Sequence, residues 1–197
     1  MARMEDQSKS EGAKLGYKRL ETTYPFASKW LRLRQDRILL NGDKEIAFAY
    51  LDRSLAVEVV PVTAGGEIVL TWQYRYSVDE WCYGVAAGGT HDRTDDALEE
   101  VARDELREEL GASCNELIEV GTFYASPGRS AETCYVYLAL GVKLDGKPTL
   151  EETEHIEARP VPAREALRMA RSGEIKDGMA ALAILMCEDL LRERGYV

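Results

Sequence analysis

Short alternating runs of apolar and polar residues occupy the early part of the chain. Trp30-Leu31-Arg32-Leu33-Arg34 and Arg37-Ile38-Leu39-Leu40 lead into Asn41-Gly42-Asp43, and Ile46-Ala47-Phe48-Ala49-Tyr50-Leu51 follows. An Asn-Gly pair between two such runs predicts a β-hairpin, because both residues tolerate the positive φ of a turn whose twist matches the strands. Residues 55–62 and 67–76 repeat the pattern around Ala64-Gly65-Gly66. This spacing of strands and turns predicts an antiparallel or mixed sheet. Over residues 94–110 the period becomes helical, with Ala97, Val101, Leu106 and Leu110 recurring at three to five residues and Gly111 placed for a left-handed C-cap. Strand-like runs return at residues 117–124, 132–142 and 155–161. Two helices are then predicted: residues 162–172, opened by Pro162, and residues 177–194, with a stripe through Met179, Leu182, Leu185, Met186 and Leu190. The order predicts an α/β or α+β sandwich with one central helix.

Residues 1–16 are rich in Ser, Lys, Glu, Gln and Gly and are expected to form a disordered lead-in, since they bury too little apolar area to offset ordering. They lack the apolar core of a signal peptide, and no later run approaches the roughly 18 apolar residues of a membrane span. The expected location is the cytoplasm. Cys82, Cys114, Cys134 and Cys187 lie far apart with no CxxC pair, so they read as reduced, mostly buried thiols rather than a zinc site or disulfide framework.

Charge changes this picture at one place. The chain carries a net −10 with a pI near 4.9 and no cluster of Lys or Arg, which argues against nucleic acid and anionic membrane as partners. Asp95, Asp96, Glu99, Glu100, Asp104, Glu105, Glu108 and Glu109, set against Arg103 and Arg107, account for −6 of that total. On a helix Glu105, Glu108 and Glu109 stand at i, i+3 and i+4, with their carboxylates crowded on one face and mutually repulsive. A hard divalent cation would compensate, and so would plain solvation of an acidic face. Ala86-Ala87-Gly88-Gly89, after the strand-like residues 81–85, aims a glycine-permitted backbone turn at this helix.

Asp104-Glu105-Leu106-Arg107-Glu108-Glu109-Leu110-Gly111-Ala112 resembles the second half of the Nudix box: Arg-Glu, aliphatic, any, Glu-Glu, any, Gly, aliphatic. Asp104 stands in place of the family's Arg, and the first half of the box is degenerate. That family hydrolyses nucleoside diphosphates linked to another moiety, using Mg²⁺ or Mn²⁺ held by the helix glutamates. Three further segments resemble its ADP-ribose pyrophosphatase-like branch: Gln73-Tyr74-Arg75-Tyr76, Ser126-Pro127-Gly128 and Glu174-Ile175-Lys176-Asp177. Trp81-Cys82-Tyr83-Gly84-Val85-Ala86-Ala87-Gly88 resembles the strand that usually ends Glu-Leu-Pro-Ala-Gly, with Gly84 in place of its Glu.

The resemblance implies an α/β/α sandwich with a mixed sheet over residues 55–197, preceded by a small antiparallel sheet over residues 17–54 that joins a homodimer. It implies metal ligation by Glu105 and Glu109, assisted by Glu108 and a main-chain carbonyl near Gly88 and Gly89. It implies substrate contacts from Arg75, Arg53, Pro127 and Gly128, and stacking of adenine on Trp30 and Phe48, for which core packing is the other reading. It implies a water-directing glutamate in the acidic loop, Glu154 first and Glu152 second. His91 and His155 read as isolated histidines without a constellation. The expected activity is Mg²⁺-dependent cleavage of ADP-ribose to AMP and ribose 5-phosphate. The departures at Asp104 and Gly84 keep open a nucleotide-sugar binding module without turnover, and another substrate such as NADH or a nucleotide sugar also stays open.

Overall fold

A computed structural model describes residues 9–52, 55–90 and 97–197, which cluster into two compact units. The first comprises the described residues up to 52 and Ser126–Glu132. It contains helix α1 (Ser10–Lys14) and strands β1 (Tyr17–Ala27), β2 (Arg32–Leu40) and β3 (Lys44–Leu51), antiparallel in the order β1-β2-β3. The predicted hairpin turn is present: Asn41 and Gly42 take φ of 53° and 85°, and the Asp43 amide donates to the Leu40 carbonyl. One feature departs from the sequence expectation, and one strand forms without an apolar pattern of its own. Ser10–Lys14, read as part of a disordered lead-in, forms one short helix with a Glu11–Lys14 ion pair and no buried residue. Tyr17–Ala27 is a strand although its residues are almost all polar or exposed, because pairing with β2 through two register shifts satisfies its backbone. Asp36 is buried here, accepting from Arg34 and from the Thr22 hydroxyl, which pins β1 to β2. The Ser126–Glu132 loop closes on the Ser126 carbonyl and ties to the end of β3 through Leu51, which donates to Arg129 and accepts from Ala131.

The second unit is an α/β/α sandwich around a seven-stranded mixed sheet. Its elements are β4 (Ala56–Thr63), β5 (Glu67–Arg75), β6 (Glu80–Gly84), β7 (Ala86–Gly89), α2 (Leu98–Leu110), β8 (Glu116–Tyr124), β9 (Thr133–Val142), β10 (Ile156–Pro162), α3 (Ala163–Ser172), α4 (Gly178–Met186) and α5 (Glu188–Glu193). The strand order is β10-β5-β4-β9-β8, with β6 added to β5 and β7 to β4; β4 and β9 run parallel and the other pairs antiparallel. Central strand β4 is buried on both faces, as its near-continuous apolar run requires. Val60 and Val62 face Ala166, Leu167, Ala183 and Ile184 of α3 and α4, while Val57 and Val59 face Val101 and Leu106 of α2. Cys82, Cys134 and Cys187 are buried and Cys114 is half-buried, and the four form no disulfide. Among the described residues no helix is long and apolar enough to cross a membrane.

The predicted final helix is divided at Cys187 into α4 and α5, and its buried face differs from the expected stripe. Ala180, Ala183, Ile184, Cys187 and Leu191 point inward, whereas Leu182 is exposed. Because α4 is apolar all round, its pattern holds no preferred face, and close packing on the sheet selects the small side chains.

Helix α2 ends as predicted. Gly111 is left-handed (φ 58°), its amide donates to Arg107 and that of Ala112 to Leu106, and a Cβ at Gly111 would lie 2.8 Å from the backbone of Gly146 and Lys147. Gly173, which ends α3 at φ 76°, has nothing within 4 Å of a Cβ. Gly173→Ala is therefore expected to cost about 1 kcal/mol through backbone strain alone. Gly111→Ala should cost clearly more; equal shifts in the urea midpoint at unchanged m would contradict the close approach.

Candidate active site

The site forms where α2 passes over β7. Val101, Ala102, Leu106 and Leu110 bury one face of the helix against β4 and β7, and this fixes which glutamates turn toward the strand. Strand β7 is Ala86-Ala87-Gly88-Gly89, so the helix lies close to its backbone. The Ala87 amide donates to Glu109 Oε2 at 3.2 Å. A Cβ on Gly88 would fall inside the Glu105 carboxyl group; only glycine leaves room for it there.

Glu109 is only 7% exposed, although it carries a carboxyl. Burial pushes its proton affinity well above the ordinary glutamate value, and the neighbouring charges of Glu105 and Glu154 push the same way. The Ala87 amide and the Arg75 guanidinium oppose them. Thus Glu105, Glu109, Glu154 and Arg75, drawn from α2, the loop before β10 and the end of β5, share one electrostatic environment. Glu108 is half-buried, and its carbonyl accepts from the Thr149 amide at 2.8 Å. Glu154 turns back on its own loop, where its carboxylate accepts from the Glu151 amide at 2.8 Å. Glu152 and His155 are exposed.

The remaining sequence candidates fall elsewhere. Trp30 and Phe48 belong to the N-terminal unit and are 50% and 44% exposed, so core packing does not explain them. Lys29 lies over the Trp30 ring, and Phe48 tilts against Tyr50. Pro127 and Gly128 are exposed in the loop of that same unit. Arg53 and His91 lie outside the described residues.

Two departures from the family pattern acquire a physical setting. Asp104 pairs with Arg107 at 2.6 Å, so its charge is met within the helix, while Arg103 is drawn away to Glu99 and the Cys114 thiol. Gly84 sits opposite Thr71, and a Cβ there would lie 2.8 Å from the Thr71 hydroxyl. That hydroxyl is fully buried and has no hydrogen-bond partner among the described residues. Gln73, one pleat further along, is also buried. Sequence reasoning missed Thr71 and the role of Gln73 as interior polar groups, because alternation along a strand separates inside from outside only when the inside is apolar.

Among the described residues no three Asp, Glu, His or Cys side chains gather into a ready-made metal cluster. The donor set that fits a hard cation is the Glu105 and Glu109 pair with main-chain oxygens of β7. All of these are oxygens, and the two carboxylates are held close at a cost that a cation would offset.

Folding raises the proton affinity of Glu109, so its contribution to stability is fully present below the ordinary glutamate value of 4.5 and is lost as pH rises toward the folded value. Glu109→Gln, neutral throughout, is expected to raise the metal-free melting temperature above neutral pH by about 2–4 °C. Near pH 4.5 it should leave the melting temperature unchanged; calorimetry in the presence of chelator at both pH values measures the difference.

Comparison with known proteins shows the family of the chain. The NUDIX domain family model matches residues 52–181, well over half of the chain. The ADP-ribose pyrophosphatase of Bacillus subtilis (strain 168) is 30% identical over 160 residues, covering 81% of this chain and 85% of that protein. The methanol dehydrogenase activator of Bacillus methanolicus is 25% identical over 180 residues, covering 90% and 96%. A crystal structure of an ADP compounds hydrolase superposes with a TM-score of 0.79 at 15% identity, over 92% of this chain and 97% of that one, which is a likeness of fold. With its carboxylate helix packed on a glycine strand inside the matched segment, the chain belongs to the Nudix hydrolase family, in the ADP-ribose pyrophosphatase-like branch.

Proposed function

We propose that the protein hydrolyses ADP-ribose to AMP and ribose 5-phosphate with Mg²⁺. The observation that carries this reading is the buried Glu109 carboxyl beside Glu105, both held against the backbone of β7. The similarity to the Bacillus subtilis and Mycobacterium tuberculosis ADP-ribose pyrophosphatases supports the choice of substrate.

In this reading Glu105 and Glu109 hold the cation, Glu108 assists, and Gly88 and Gly89 offer main-chain oxygens. The bound metal supplies charge neutralisation on the diphosphate and a more acidic water. Arg75 meets the diphosphate oxygens with several N–H donors, which suits a guanidinium better than an ammonium. Glu154, released from the Glu151 amide, accepts a hydrogen bond from the attacking water and orients it, with Glu152 as the second candidate. Water adds to one phosphorus, the bridging P–O bond breaks, and each product leaves with one phosphate. Trp30 and Phe48, exposed in the N-terminal unit, offer flat apolar faces of the kind on which adenine stacks. The three-stranded N-terminal sheet, with Tyr24, Phe26, Trp30 and Phe48 exposed, is proposed to join a homodimer.

The test incubates purified protein with Mg²⁺, and separately Mn²⁺, and a panel of ADP-ribose, nucleotide sugars and NADH. AMP and ribose 5-phosphate are the expected products from ADP-ribose. Glu105→Gln and Glu109→Gln are each expected to lower kcat/KM by about a hundredfold or more, beyond what loss of a metal's outer partners costs. No cleavage of any compound with either metal would overturn the reading, and binding without turnover would leave a nucleotide-sugar binding module instead.

A further inference from the structure

Asp177 stands apart from the carboxylate pair, and no step above uses it. Its two oxygens have separate tasks. Oδ1 accepts from the amides of Met179 at 3.1 Å and Ala180 at 3.3 Å, closing the N-terminus of α4. Oδ2 accepts from Arg75 Nη2 at 3.4 Å across 102 residues of chain. The Asp177 side chain is 17% exposed, and α4 behind it is locked into the core by Ala180, Ala183 and Ile184. A second tie runs beside the first: Lys176 pairs with Glu80, the residue directly opposite Arg75 in the β5–β6 register. The end of this hairpin is therefore fastened to the start of α4 at two neighbouring positions.

Arg75 ends β5, and its charge acts on Glu109. A guanidinium at a strand end has many rotamers, and each must be lost when it grips a phosphate. A carboxylate fixed by helix amides restricts that search before the substrate arrives, while it uses few of the five N–H donors. We propose that Asp177 is a positioning residue that holds Arg75 aimed at the diphosphate beside Glu105 and Glu109. The inference rests on the reading of Arg75 as a substrate contact.

The test compares the unmodified protein with Asp177→Asn, Arg75→Ala and the double variant. An Asn oxygen retains the helix cap but carries no charge for Arg75, so the melting temperature of Asp177→Asn should stay close to that of the unmodified protein, whereas Asp177→Ala, which loses the cap, should melt lower. With ADP-ribose and Mg²⁺, Asp177→Asn is expected to raise KM roughly three- to tenfold with kcat little changed, and to add nothing to Arg75→Ala. Calorimetric titration with α,β-methylene-ADP and Mg²⁺ should show the same weakening without turnover. An unchanged or lowered KM in Asp177→Asn, or a full further loss in the Arg75→Ala background, overturns the inference while hydrolysis stands. Weakened methylene-ADP binding with no hydrolysis of any substrate by the unmodified protein keeps the positioning role and overturns the hydrolytic reading; neither binding nor hydrolysis by the unmodified protein overturns both.

Discussion

Two carboxyl groups held side by side against a strand backbone set the terms for the rest of this molecule. Glu105 and Glu109 repel each other, and Glu109 is out of water, so the arrangement is unfavourable in isolation. It persists because α2 cannot move away: Val101, Leu106 and Leu110 are fully packed on β4 and β7, and the left-handed turn at Gly111 locks the helix end against residues 146 and 147. The glycines of β7 then let the helix close down until Glu105 covers the Gly88 Cα. Packing energy spread over the apolar face thus holds a charged pair in a position it would not adopt by itself.

Around this pair the fold arranges opposing charge with economy. Arg107 pairs with Asp104, and Arg103 pairs with Glu99. The cation that does act on Glu109 among the named groups is Arg75, which arrives from β5 and is anchored at its far side by Asp177. On the proposed reading, an acidic chain meets a diphosphate with a metal and a guanidinium rather than with a basic surface.

The two units differ in how far their patterns could be read. In the sandwich, most strands and helices follow from periodicity because they have one apolar face to bury, and β4 betrays burial on both faces by a Val-rich run that Glu58 interrupts. In the N-terminal sheet, β1 has no apolar face and is held by backbone pairing and the buried Arg34–Asp36–Thr22 group, none of which leaves a local signature. The face of α4 was misread for the opposite reason, since a helix apolar all round has no stripe to read.

The order of most elements in the sandwich, the αL glycine after α2 and the spacing that turns Glu105 and Glu109 the same way follow from residue type and period alone, because these are local properties of the chain. Tertiary structure decided the rest. It set Glu109 apart from Glu105 and Glu108 by burying it, brought Glu154 and Arg75 into its field, and filled the space beside Gly84 with the Thr71 hydroxyl. It also placed Asp177 behind Arg75. Each of these depends on segments distant in sequence meeting in a low-dielectric interior, where proton affinity and side-chain freedom are fixed by neighbours that no local pattern names.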